Sequence, residues 1–265
     1  MTTTFVGAAL PLDQSGLDSV LALLDIGAAE LWSVLTVETS GCGFGPDRRP
    51  RILFERHKFS RETGGMYDAG YPDISNPVAG GYGKLDTQYQ RLERAVALNR
   101  AAALDSTSWG IGQIMGFNAS LAGYADAQHM ITAMMASETN QLLAVAHFLQ
   151  QTHLDGPLRQ RDWSAFAKGY NGSDYAQNQY DTRLAKAYEK YAQGAIPDLS
   201  VRAAQMVLTY LGYQPGPVDG LKGARTFAAL REFQAHKQLA ASDPLDPLDE
   251  STLNELLHCI REEHA

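Results

Sequence analysis

The sequence predicts a mainly α protein: a large helical body with a small β or irregular subregion, followed by a compact three-helix unit. Three observations carry this. Apolar residues recur at helical spacing through most of the first 195 positions. Residues 40–83 break that pattern with Gly, Pro, Asp or Asn every few positions. The stretch Ala195-Ile-Pro-Asp-Leu-Ser200 reads as a linker ending in a helix-capping Ser, and a shorter helical pattern follows it. At 265 residues the chain has room for one medium and one small domain, expected at 1–195 and 196–265.

In the first part, Leu17, Val20, Leu21 and Leu24 form an apolar stripe. Gly27 interrupts it before a second helix ending at Glu38. Arg51-Ile-Leu-Phe-Glu55 is a short apolar run that suits a strand or a buried turn. Helices are expected over 84–104, 127–151 and 175–193, the second carrying Met130, Met134, Leu142, Val145 and Leu149 on one side. In the last part, Val201, Ala204 and Leu208, then Phe227, Leu230 and Phe233, then Leu253, Leu256 and Ile260 mark three helices. Asp249 or Ser251 is the expected cap of the third.

Composition narrows the function. With 45% apolar and 20% charged residues the chain reads as an ordinary soluble globular protein. A net charge of −8 argues against nucleic acid and against electrostatic attraction to anionic membranes. Cys42 and Cys259 stand far apart and suggest neither a disulfide framework nor a metal site. His57, His129, His147 and His153 show no zinc-ligand grouping. No metal and no cofactor are expected. The N-terminus has no positive segment followed by a long apolar core, so no secretory signal and no membrane anchor are expected. A monomer is expected.

The segment Thr36-Val-Glu-Thr-Ser-Gly-Cys-Gly-Phe44 carries the sharpest chemical signal. Val34, Leu35 and Leu31 precede Glu38 at i−4, i−3 and i−7, so its carboxyl group shares the face that must be buried. Partial burial and the negative end of the helix dipole both disfavour the ionised form, as a general acid requires. Glu55, after three apolar neighbours, is the candidate second carboxylate. It would activate water or orient Glu38; otherwise it is an ion-pair partner of Arg56, Arg51 or His57. Asp68 and Asp73 read as loop caps. Gln113 offers a neutral donor and acceptor to a ligand, or else holds its own turn. Gly110 and Gly112 would let backbone approach a ligand closely. Trp109 is either a ligand platform or a core indole.

Three segments in order resemble the signatures of the lysozyme-like superfamily shared by goose-type lysozymes and lytic transglycosylases. They are the Glu38 helix end, Ser106-Thr-Ser-Trp-Gly-Ile-Gly-Gln-Ile-Met-Gly-Phe-Asn118, and Ala165-Phe-Ala-Lys-Gly-Tyr-Asn-Gly172. Arg49-Pro-Arg-Ile-Leu-Phe-Glu-Arg-His-Lys-Phe59 and Gly80-Gly-Tyr-Gly83 bring the chain closer to the phage and bacterial N-acetylmuramidase family. The resemblance covers about residues 15–193 and departs in placing Thr39, not Ser, after Glu38. It implies a lysozyme-like helical fold, Glu38 as the catalytic acid, and Gln113, Tyr170, Asn171, Trp109 and Tyr82 as substrate contacts.

From Ala204-Gln205 through Leu211-Gly-Tyr213, Gly216-Pro-Val-Asp-Gly220, Thr226 and Phe233-Gln234 the chain resembles the three-helix peptidoglycan-binding module. There Tyr213 and Arg225 are the implied wall contacts, and Asp219 is read as structural. The combination resembles a modular phage endolysin. The partner is then bacterial peptidoglycan, met after release from the host cytoplasm. A lytic transglycosylase and a non-catalytic wall-binding protein on the same fold are the competing readings.

Overall fold

The computed structural model describes residues 5–38, 41–172, 176, 178–194, 196–240, 243 and 246–262, with the side chains of Glu38 and Glu262 outside that description. Helix α1 (Gln14–Leu24) starts at Asp13, whose carboxylate accepts from the Gly16 amide at 2.7 Å. Helix α2 (Ala28–Glu38) follows the break around Gly27. Leu31, Val34 and Leu35 are buried along it, as their spacing predicts.

The run after Arg51 is a strand, β1 (Ile52–Phe54), and it leads into a short helix, α3 (Arg56–Glu62). The expected helix over 84–104 is two helices, α4 (Gln88–Leu98) and α5 (Arg100–Asp105). Asn99 divides them because its extended backbone lets its side chain cap the Ala102 amide at 3.1 Å. Strands β2 (Thr107–Trp109) and β3 (Ile114–Met115) complete an antiparallel sheet of order β1-β2-β3. Ile52 pairs with Trp109, Leu53 with Ser108 and Phe54 with Thr107.

The expected helix over 127–151 is also two, α6 (Ala127–Ala136) and α7 (Glu138–Gln151). Ser137 is extended between them, caps Asn140 at 3.1 Å, and bridges to Leu10. The apolar period runs through the break, which is why periodicity alone merges the two helices. Helices α8 (Asp155–Gln160), α9 (Trp163–Asn171) and α10 (Tyr180–Ala192) close this body. Its core gathers Phe54, Phe59, Leu92, Trp109, Leu142 and Phe166.

The C-terminal unit is α11 (Leu199–Tyr210), α12 (Ala224–Lys237) and α13 (Glu250–Glu262). Their own core holds Val207, Leu208, Leu230, Phe233, Leu256 and Ile260. The cap of α11 is Asp198, not the expected Ser200; its carboxylate accepts from the Ser200 and Val201 amides at 2.8 and 3.1 Å. Asp249 caps α13, accepting from the Thr252 amide at 2.7 Å. Gln205 explains the spacing of the Val-Asp-Gly segment. Its side chain accepts from the Asp219 and Gly220 amides and donates to Asp219 Oδ1, Leu221 O and Thr226 Oγ1.

The two bodies meet across a closed seam. Ala9, Cys42, Phe44 and Met206 form a small apolar cluster there. Arg48 donates to the carbonyls of Ala8 and Ile260, at 2.9 and 3.1 Å. At the centre, Arg202 of α11 forms a two-pronged ion pair with Glu138, the first residue of α7. Glu138 is 0% exposed and Arg202 1% exposed.

Burial pushes the Glu138 carboxyl up, but the Arg202 guanidinium and the Gly43 and Leu12 amides outweigh it and leave it below its ordinary 4.5. A carboxyl group whose pKa is lowered by folding contributes stability above its unfolded value and loses it as pH falls through the folded one. Thermal melts of the full chain are therefore expected to lose stability below pH 4.5. The same melts of Glu138→Gln are expected to be flatter over that window and lower at neutral pH by about 3–5 kcal/mol.

Candidate active site

The C-terminal turn of α2 is held from α10. Thr36 Oγ1 and the Tyr191 hydroxyl share a hydrogen bond of 2.6 Å, and Arg183 Nη2 donates to the Val37 carbonyl at 3.1 Å. The arginine satisfies one of the open carbonyls of a helix end and complements the dipole there. The helix is thereby held at Thr36 and Val37, next to Glu38, whose side chain lies outside the described residues.

Helix α7 organises the loop and the turn around this helix end. The Gly43 amide donates to Glu138 Oε1 at 2.9 Å, and Gln141, one turn on, donates to the Gly43 carbonyl at 3.4 Å. Gln141 Oε1 also accepts from the Ile111 amide at 2.7 Å. One face of α7 thus ties the loop after Glu38 to the turn between β2 and β3. The glycines of that turn serve this docking, and Gly110 also lines a groove beside Gln113. A Cβ on Gly110 would lie 2.9 Å from Gln141, and one on Gly112 would lie 2.1 Å from Val145.

Gln113 sits on that turn with φ of 50°. Its amide is engaged within the protein: Nε2 donates to the Gly110 carbonyl at 2.8 Å and to the Arg51 carbonyl at 3.3 Å, and Oε1 accepts from Ser108 Oγ at 2.8 Å. The side chain still borders a groove of about 560 Å³ lined also by Cys42, Arg49, Arg51, Leu53 and Tyr89. Trp109 is fully buried, packs against Phe5 and donates to the Leu104 carbonyl at 3.2 Å. It is a core indole and not a sugar platform, because β2 is buried on both faces.

Tyr170 stacks on Phe166 with ring centroids 5.5 Å apart and donates its hydroxyl proton to the Gly112 carbonyl at 2.7 Å. Asn171 ends the same helix, half-buried. Tyr82 is 39% exposed in a loop whose flanking glycines, 80, 81 and 83, all have positive φ.

Glu55 lies at the end of β1, where its amide donates to the Ser106 carbonyl at 3.0 Å. Its backbone stays extended, so it shares a sheet face with Leu53, whose partner Ser108 binds Gln113. Its carboxylate stands 3.4 Å from His57 Nε2. Burial lowers the His57 pKa below its ordinary 6.5, and the Glu55 charge pulls it partly back. At neutral pH the imidazole beside Glu55 is therefore uncharged. Asp68 accepts from Ser60 and Ser75, and Asp73 pairs with Arg94; both are loop braces as expected. Burial pushes the Cys42 thiol up to about 12, which makes it inert as a nucleophile.

In the C-terminal unit Tyr213 and Arg225 line one hollow of about 440 Å³, reached also by Pro46 of the first body. Tyr213 lies edge-on to Phe233 and hydrogen-bonds His236 at 3.0 Å. Asp219 is consumed by Gln205 and Leu221, a structural role. A smaller hollow of about 130 Å³, bordered by Cys42, Pro46, Arg51 and Gly216, lies between this one and the groove beside Gln113. The sequence pattern did not single out Glu138, Gln141 or Arg202. An i,i+3 Glu–Gln pair opening an apolar helix, at 138 and 141, is the one local trace of that network.

The N-acetylmuramidase family model matches residues 27–192, and the model of a putative peptidoglycan binding domain matches residues 198–247. The chain belongs to the N-acetylmuramidase family. The crystal structure of Burkholderia AP3 phage endolysin is similar, with 38% identity and a TM-score of 0.65 over 70% of this chain and 72% of that one. No curated protein matches the chain. This N-acetylmuramidase is thus a lysozyme-type glycoside hydrolase on a mainly helical, lysozyme-like fold, with a peptidoglycan-binding unit and peptidoglycan as its polymer. No single helix among the described residues is long and apolar enough to cross a membrane.

The fit of the β2–β3 turn against α7 is open to test. Gly112→Ala is expected to cost about 1–3 kcal/mol by overpacking. Adding Val145→Ala is expected to recover part of that loss, and a double-mutant cycle in denaturant unfolding reads the coupling.

Proposed function

We propose that the chain is a modular muramidase of the endolysin type, cleaving the β-1,4 bond between N-acetylmuramic acid and N-acetylglucosamine. Residues 1–195 form its catalytic domain and 196–265 its wall-binding domain. Glu38 is the general acid that protonates the leaving glycosidic oxygen. Glu55 is the second carboxylate, activating water on the opposite face of the sugar. Tyr82, Gln113, Tyr170 and Asn171 border the bound glycan. The protein is made in the host cytoplasm, acts on the wall after release, and works as a monomer.

The observation that carries this reading is how α2 ends. Within the segment that matches the muramidase model, Tyr191 and Arg183 immobilise the last turn before Glu38. A carboxyl group at the end of a packed apolar helix, next to a glycine loop, suits general acid catalysis on a polymer lying across that end, and this supports the assignment of Glu38. Hydrolysis with two carboxylates requires the second to be an available base. What supports Glu55 in this role is that its one described side-chain partner is His57, an imidazole whose pKa burial lowers below its ordinary 6.5.

The pairing of Glu55 with His57 also favours a second reading. If that pair is structural, Glu38 acts alone and the sugar 6-hydroxyl attacks its own anomeric carbon. The product is then a 1,6-anhydro end, as in lytic transglycosylases.

Mass spectrometry of the muropeptides released from purified peptidoglycan separates the two. The expected products end in reducing N-acetylmuramic acid; products one water lighter would replace the hydrolase with a transglycosylase. Glu38→Gln is expected to abolish release while still pelleting with peptidoglycan. Release that survives in this variant would remove Glu38 from the mechanism. Glu55→Gln is expected to lower kcat by about 10²–10⁴-fold. A change of less than about tenfold would return Glu55 to a structural role.

A further inference from the structure

We propose that Arg202, a residue of the wall-binding unit, is a positioning residue of the active site: it clamps the loop that follows Glu38. Its catalytic consequence rests on the muramidase reading above; the clamp itself rests on contacts alone.

Arg202 reaches across the seam and divides its guanidinium between two jobs. Nη1 and Nη2 take the two carboxylate oxygens of Glu138, and Nη2 also donates to the carbonyl of Gly41. Gly41 stands three residues after Glu38. The remaining capacity of Glu138 accepts from the Gly43 amide at 2.9 Å and the Leu12 amide at 3.2 Å. The loop is therefore gripped at Gly41 by the arginine and at Gly43 by the carboxylate that the arginine neutralises. The guanidinium carbon also lies 5.6 Å from the ring of Trp32, on the helix that carries Glu38.

A pair serving only to glue two bodies would need Glu138 and nothing else. Here two of the bonds go to the backbone of the loop beside the candidate acid. The cation is also indispensable to its partner. Glu138 is 0% exposed, so without Arg202 it becomes an uncompensated buried charge that must take up a proton or admit water. Either response weakens its hold on the Gly43 amide. The loop also packs closely against its surroundings: a Cβ on Gly41 would lie 2.8 Å from the Val218 carbonyl of the wall-binding unit, and one on Gly43 1.9 Å from Gln141. The wall-binding unit thus has a second task besides raising substrate concentration at the polymer. It completes the mould in which Glu38 is held.

Arg202→Lys in the full chain tests this. Lysine keeps a cation for Glu138, but a single ammonium cannot reproduce the fork that also reaches Gly41. Activity is measured on a short, soluble, uncross-linked glycan fragment of peptidoglycan, where anchoring to an insoluble wall contributes nothing. The expected result is a kcat lower by about tenfold, with KM and pelleting on peptidoglycan retained. Amide hydrogen exchange across 41–44 is expected to speed up, while α12 keeps its protection.

Unchanged kcat, or unchanged exchange across 41–44, overturns the proposal. If Arg202→Lys does not fold, the neutral pair Arg202→Gln with Glu138→Gln replaces it under the same criteria. If the unmodified protein cleaves no glycan, the muramidase reading fails and the exchange measurement alone decides the clamp.

Discussion

The fully buried carboxylate of Glu138 constrains this structure more than any other single group. Its charge cannot be met by water, so the fold must bring it a cation and enough donors to fill its lone pairs. Those partners come from three distant parts of the chain: Arg202, the Gly43 amide and the Leu12 amide. Satisfying one side chain therefore fixes the N-terminal segment, the loop after α2 and the first helix of the wall-binding unit relative to α7. Arg48, bridging Ala8 and Ile260, repeats the device at the edge of the same seam.

From that point α7 acts as a template. Glu138, Gln141 and Val145 recur at i, i+3 and i+7, and so present one continuous face. Glu138 and Gln141 hold Gly43; Gln141 holds Ile111; Val145 fills the space where Gly112 lacks a side chain. Tyr170 closes the far side of the same turn from α9. The turn before Gln113 and the loop after Glu38 are thus both set by one helix. A site that must hold its reacting groups in a fixed geometry gains from such a rigid support.

The helical architecture was legible because its signal is local. Leu31, Val34 and Leu35 on α2, and Val201, Leu208, Phe233 and Ile260 in the C-terminal unit, are buried where their period puts them. What periodicity missed were the breaks at Asn99 and Ser137. Each is a capping residue inside an unbroken apolar pattern, and nothing short of tertiary pairing distinguishes it from a helical position. The site was legible in part. Gln113 and Tyr170 meet at one turn, while Trp109 lies in the core behind it and Gly110 and Gly112 admit α7. A sequence motif records which residues a geometry needs, and it does not separate those that touch substrate from those that shape the wall behind them. Arg202 was invisible for another reason. Its partner is 64 residues away, and an arginine near a helix start reads as solvated by default.

That default raises the question of why an ion pair occupies this seam at all. Apolar side chains of similar volume would hold two bodies together at least as well, since desolvating two charges offsets much of their attraction. The neighbouring cluster of Ala9, Cys42, Phe44 and Met206 shows that the seam accommodates apolar packing. What apolar residues cannot do is bind a peptide carbonyl and a peptide amide in a loop too glycine-rich to anchor itself. Arg202 and Glu138 together present a donor to Gly41 and an acceptor to Gly43, with the directionality that a packed methyl group lacks. The pair is better understood as specifying one loop conformation than as adding stability. On that view the wall-binding unit is part of the catalytic scaffold, and the geometry around Glu38 depends on both bodies being present.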